Sequence, residues 1–438
     1  RPKHFHDVCW HTFVDAPTEY SITQAIKTVD PGSTQRFFTD FERRMHGDSP
    51  LEEMIVCALD TTSLSTYSAM LEAAKYGKNK EHDHMQQINL LMICDNVTGI
   101  PLYYRSLPGN YSDKSILDTT LKELKSAAFR KGTILLMDRG FYSLENVKTM
   151  LSSTFRFLIG LPLTAGFYRD AIQEASEVIH DTENYCMPIG MHVWSKVITI
   201  DAPRRGRGPN SYEVCLYLFL NPEKLMDEKQ KLSKKFAEGL IALKKNPELS
   251  KPNNFYGKHY RIEKDEKGQV ISVHHDKEAQ RKKMNECGFF GYLGPVGLTP
   301  ERVYSLTRNR DHIEKDYEAY KSRMRRPRHS LEENLEGKIF LVFLSTILEM
   351  TIRRKMEEYL LGDKYSFQDL RDEVFSAKWR KPAGKTFDKG HWCDLPIETQ
   401  KLFHIFRVAK DSELRDDIPK LVEQELFKRK VKHSLVTD

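Results

Sequence analysis

Two aspartates close apolar runs in this chain. "IVCALD" ends on Asp60 and "TILLMD" on Asp138. A carboxylate at the end of such a run is costly to bury unless a cation pairs with it. Two in one sheet suggest a shared divalent ion, and hard oxygen ligands suit Mg2+ or Mn2+. Taken singly, each is better explained by a strand-end turn or a helix cap. A third acid lies far downstream in "RNRDHIEKDYEAYK", where Arg310, Glu314, Tyr317 and Lys321 recur at spacings of four, three and four. At about 3.6 residues per turn they share one helix face. That face reads as an exposed ion-pair ladder, or as a metal-ligand carboxylate flanked by phosphate-binding bases.

The elements that must position these residues follow from the apolar pattern. Ile55 to Leu59 reads as a strand ending on Asp60. "QINLLMICDNVTGIPLYYRS" reads as two strands around an Asp-Asn/Thr-Gly turn. "SDKSILDTTLKELKSAAFRKG" is an amphipathic helix with Ser112 or Asp113 as its cap. "TILLM" is the next strand, and Gly140 lets the chain turn tightly after Asp138. A helix starts near Ser143, and "FRFLIG" is a strand stopped by Pro162. This order implies an α/β fold, a mixed sheet with helices on its faces. It resembles the opening of a ribonuclease-H-like fold. Residues 165–300 read as a large, mostly β insertion that also holds a charged helix around 223–245. The expected division is an N-terminal segment 1–50, a catalytic core in two parts (51–164 and 301–362), the insertion 165–300, and a helical C-terminal region 363–438.

Asp60, "MDRGFYS" around Asp138, and R-x3-E-x6-K at Arg310, Glu314 and Lys321 form one constellation. In that order the chain resembles the DDE transposases of bacterial insertion sequences, in the group with a Y-x2-R-x3-E-x6-K signature. "LPGNYSD" at 107–113 resembles a further segment of that family. Thr307 stands where the signature has tyrosine, and Tyr304 lies about one turn earlier. The resemblance implies that Asp60, Asp138 and Glu314 are catalytic and hold two Mg2+ or Mn2+ ions. It implies cleavage of transposon ends, hairpin formation and strand transfer, on double-stranded DNA and in a homodimer. Arg310, Lys321 and Tyr304 would contact DNA. So would the basic runs Arg204, Arg205, Arg207 and Arg281, Lys282, Lys283, and the stretch Arg323, Arg325, Arg326, Arg328. Phe289, Phe290, Tyr292 and Trp194 are the base-stacking candidates. A nuclease that does not join strands, or a domesticated DNA-binding protein, are the alternatives.

Composition agrees without deciding. The chain of 438 residues carries a formal charge of +6, mildly basic, which suits a polyanion. Seven scattered cysteines without a C-x-x-C pair favour a reducing compartment, hence a cytoplasmic protein acting on nucleoid DNA. The apolar run Ile339 to Leu348 is too short to span a bilayer and reads as a buried helix. His4, His6, Cys9 and His11 have metal-ligand types but not a standard zinc spacing. The chain opens on Arg1 rather than methionine, as a fragment lacking an N-terminal module would.

Overall fold

The structure is a computed structural model. It describes residues 18–437 except 48, 51–52, 69, 78–83, 205–206, 266–269, 325–330, 381–390 and 394. The histidine and cysteine cluster at 4–11 therefore lies outside the described residues.

Two helices, α1 (Glu19–Lys27) and α2 (Pro31–His46), precede the sheet. The sheet opens with β1 (Val56–Ser65), β2 (Gln87–Asp95) and β3 (Pro101–Pro108), an antiparallel trio. Helix α3 (Leu117–Ser126) leads to β4 (Ile134–Met137), and α4 (Leu144–Leu151) leads to β5 (Arg156–Gly160). Strands β1, β4 and β5 run parallel. The spatial order β3-β2-β1-β4-β5 is the mixed, helix-flanked sheet expected from the chain order.

Ile134–Met137 of β4 is apolar throughout because both faces of the strand are covered. Leu135 and Met137 enter one buried cluster with Val147 and Met150 of α4. Ile134 and Leu136 enter another with Val303 and Leu306 of α9 (Pro300–Arg308). Ser143 caps α4, accepting from the Asn146 backbone N–H at 3.1 Å.

Three sequence expectations change. First, β1 does not end on Asp60 but continues through Thr61, Thr62, Ser63 and Ser65, all buried. Threonine suits a strand although it is not apolar, so an apolar run marks the end too early. Secondly, neither Ser112 nor Asp113 caps α3, which starts after Ile116 without a side-chain cap. Thirdly, the insertion is not mostly β. It holds β6 (Tyr185–Cys186), β7 (Met191–Arg204), β8 (Arg207–Leu220), β9 (Tyr260–Lys264), β10 (Val270–His275) and β11 (Phe289–Gly294). It also holds helices α5 (Gly166–Ala175), α6 (Pro222–Lys245), α7 (Phe255–His259) and α8 (Lys277–Asn285). Of these, α6 is the charged helix expected around 223–245, and α5, α7 and α8 are the additions.

The insertion is also not separate from the core sheet. β11 pairs antiparallel with β5 and with β8, and β7 and β6 follow, giving nine strands in all. The chain then enters α9, α10 (Asp311–Met324) and α11 (Glu332–Glu358). Ile339, Phe343 and Ile347 are buried along α11, as expected of the apolar run. The C-terminal part packs α12 (Phe367–Ser376), the hairpin β12 (Lys378–Arg380) and β13 (His391–Cys393), α13 (Ile397–Phe406) and α14 (Ile418–Thr437). Among the described residues no helix is long and apolar enough to cross a membrane.

Candidate active site

The parallel register places two carboxylates side by side. Leu59 pairs with Met137, so Asp60 and Asp138 come next on adjacent strands. There β4 has ended while β1 continues, and Asp138 opens a short turn, Arg139–Phe141. The edge beyond the carboxyl ends of parallel strands is where open α/β sheets place ligands.

Arg310 reaches this edge from the turn between α9 and α10. Its Nη2 lies 2.9 Å from Asp60 Oδ2 and 3.6 Å from Asp138 Oδ2. Burial works against the guanidinium charge, but Asp60 and then Asp138 outweigh it and hold the Arg310 pKa above its ordinary value. Asp60 is nearly buried, whereas the Asp138 side chain is 41% exposed and faces a cleft of about 330 Å3. Glu314, an exposed residue one turn beyond Arg310, lines the same cleft.

Two residues secure this arrangement. Tyr317 is buried on α10, and its hydroxyl donates to the Asp60 carbonyl at 2.5 Å. Asp113 accepts a hydrogen bond from the Thr61 hydroxyl, next to Asp60. A Cβ at Gly140 would lie 3.0 Å from the other Asp113 oxygen. Asp113 thus touches the strand bearing Asp60 and borders the turn after Asp138. The Gly140 backbone is not left-handed, and that close approach is what a side chain there would meet. Tyr317 appears in the sequence only as one member of the shared helix face, and Asp113 only as a helix cap within "LPGNYSD". The signal for Asp113 was that segment.

A family model for the Transposase DDE domain matches residues 52–348. The chain belongs to that family. No curated protein matches it. Among solved structures it is similar to the cryo-EM piggyBac transposase synaptic complex with hairpin DNA, at 12% identity and a TM-score of 0.34. That similarity covers 79% of this chain and 61% of the other, so the chain spans about three fifths of that transposase's length.

Within this transposase-domain chain the remaining expected site residues separate by position. Phe290 and Tyr292 line the cleft, together with Lys224, Thr307 and Arg310. Phe290 stacks on Phe219 at 5.1 Å with the rings 12° apart, and Lys224 Nζ lies 5.9 Å from its centre. Burial raises the Tyr292 pKa, while Thr307 and Arg310 beside it act to lower it, and the Thr307 hydroxyl donates to the Tyr304 carbonyl at 2.8 Å. Phe289 also borders the cleft but is 7% exposed, which leaves little ring face for a base. Trp194 packs against the main core and is not among the cleft-lining residues. Tyr304 bonds Arg308 at 3.2 Å through its hydroxyl and packs on Phe219. Lys321 is half-buried on α10.

Arg323 forms an ion pair with the buried Glu349 of α11, so structure rather than DNA engages it here. Lys282 and Lys283 pair with Glu278 and Glu286. Arg204 and Arg207 pair through their backbones where β7 meets β8. Arg205, Arg325, Arg326 and Arg328 lie outside the described residues.

Proposed function

We propose that the chain is a DDE transposase that cuts transposon ends and joins them to target DNA. One observation carries this reading: Asp60 and Asp138 share a single cationic group, and Glu314 opens onto the same cleft. Their chemistry fits a divalent ion, since both aspartates offer hard oxygens that already gather positive charge. Among the described residues no three His, Cys, Asp or Glu side chains are yet gathered as a metal cluster. Holding ions would therefore require the exposed Glu314 side chain to turn toward the aspartates. Two Mg2+ or Mn2+ ions bound there would activate the attacking oxygen and stabilise the leaving 3′-oxygen.

The chain's own residues do the remaining work. Asp60, Asp138 and Glu314 supply the ligand oxygens. Arg310 lies where it can take a phosphate with paired N–H donors. Lys224, Tyr292 and the Phe290 ring line the wall along which a strand would lie, and stacking on Phe290 needs no base sequence. Each step is an in-line displacement at phosphorus, so no protein nucleophile is required. In this reading the substrate is double-stranded DNA in the cytoplasm, held by a dimer because two ends must meet. The ends pass through hairpins, and residues 1–50 and 365–438 serve end recognition and dimer contacts.

The test uses a duplex bearing a transposon end, with Mg2+ or Mn2+. Asp138→Asn should abolish cleavage and leave DNA binding intact. Cleavage that survives the substitution rejects Asp138 as a metal ligand. A preprocessed 3′-OH end should yield joined product; hydrolysis without joining makes the protein a nuclease. Binding without any cleavage by the wild type makes it a DNA-binding protein.

A further inference from the structure

The group that neutralises Asp60 and Asp138 also blocks them. Arg310 Nη2 lies within 2.9 and 3.6 Å of their Oδ2 atoms. A divalent ion bound by these carboxylates needs the same oxygens. Arg310 is not fully engaged where it stands, because its Nε is buried without a hydrogen-bond partner. Its backbone belongs to a turn between two helices rather than to either helix. Its cleft is open and carries a second base, Lys224. A phosphate entering there offers the guanidinium two parallel bonds, a better match than its present hold on two separate carboxylates.

We propose that Arg310 is a resident counter-ion that competes with divalent metal for Asp60 and Asp138, and that a DNA phosphate in the cleft draws it away. This rests on the transposase reading, in which those aspartates are metal ligands. Without a cation the two adjacent carboxylates would repel, so Arg310 lets the free protein fold without metal. DNA arrival frees the oxygens, and metal binding in turn favours Arg310 on phosphate. Such a linkage is reciprocal. The site then takes up metal where DNA is present.

Mn2+ binding, followed by electron paramagnetic resonance, tests this without any turnover. Wild type, Arg310→Met and Arg310→Lys are titrated with and without a short duplex of arbitrary sequence. An Asp60→Asn/Asp138→Asn variant corrects for Mn2+ held by the duplex itself. Arg310→Met should bind Mn2+ about tenfold or more tighter than wild type in the absence of DNA, within the usual range of such couplings. Duplex should tighten Mn2+ binding by wild type and hardly affect Arg310→Met. Equal or weaker Mn2+ binding by Arg310→Met overturns the inference, as does a wild-type affinity that duplex leaves unmoved. If Arg310→Met does not fold, Arg310→Lys decides: its single ammonium should compete less well, and an affinity equal to wild type overturns the inference. Failure of the underlying reading looks different. There, the double aspartate variant would bind Mn2+ as well as wild type does.

Discussion

One turn along the helix from Glu314, the Tyr317 hydroxyl donates to the Asp60 carbonyl at 2.5 Å. This bond fixes the helix that carries one acid against the strand that carries another. Tyr317→Phe keeps the buried ring and removes only the hydroxyl. It should cost about 1 kcal/mol in urea unfolding, the usual net worth of one hydrogen bond. In the proposed reaction it should also raise the Mn2+ concentration needed for half-maximal cleavage, because Glu314 and Asp60 lose their common register. A variant that loses stability with an unchanged Mn2+ requirement would limit Tyr317 to a packing role.

At the scale of elements, α2 is pinned to the end of β2 by a buried triad. His46 Nδ1 lies 3.0 Å from Glu42 and Nε2 lies 3.3 Å from Asp95. Burial pulls the imidazole pKa down, but Asp95 and Glu42 outweigh it and push it up to about 9. Burial raises Asp95, but His46 and Thr98 hold it below its ordinary value. Folding raises the His46 pKa, so its contribution is fully present below 6.5 and fades as pH rises through about 9. The Asp95 contribution is present above 3.8 and is lost as pH falls below that. The pin therefore holds across neutral pH. His46→Gln should be less stable than wild type by on the order of 2–3 kcal/mol at pH 6, with the gap closing above pH ~9. Melting temperatures across pH measure this, and a gap independent of pH would mean His46 acts by shape alone.

Helix α1 is seated on α11 by a second device. A Cβ at Gly337 would lie 2.2 Å from the Ile26 carbonyl oxygen, which is backbone and cannot swing aside. An exposed helical Gly→Ala usually gains about 1 kcal/mol. Gly337→Ala should instead destabilise by about 1–3 kcal/mol, the cost of overpacking, and expose α1 to proteolysis. Urea unfolding and limited proteolysis check both.

At the scale of the molecule, the insertion completes the sheet that carries the site. β11 covers the free edge of β5 and supplies Phe290 and Tyr292 to the cleft. Excising 165–300 would strip β5 of that partner and expose a parallel edge with unpaired backbone groups. The excised chain should aggregate or lose its cooperative melt. Circular dichroism and size-exclusion chromatography would show this, and a monomeric, cooperatively folding remnant would make the insertion a dispensable module.

The sequence alone determined the strand and helix order from 54 to 162, because apolar runs and turn residues are local signals, whereas helices α1 and α2 before it carried no such pattern. It also singled out Asp60, Asp138, Arg310 and Glu314, since an acid closing an apolar run and a four-residue spacing are visible in one dimension. Only the tertiary structure decided how far β1 runs, because Thr61, Thr62, Ser63 and Ser65 are polar yet buried by neighbours distant in the chain. Likewise it decided that Asp113 serves Thr61 rather than a helix, that Tyr317 reaches the Asp60 carbonyl, and that β11 joins β5. Arg310 between two aspartates belongs with these. Charge pairing across 250 residues of chain depends on register and packing, which no local pattern records.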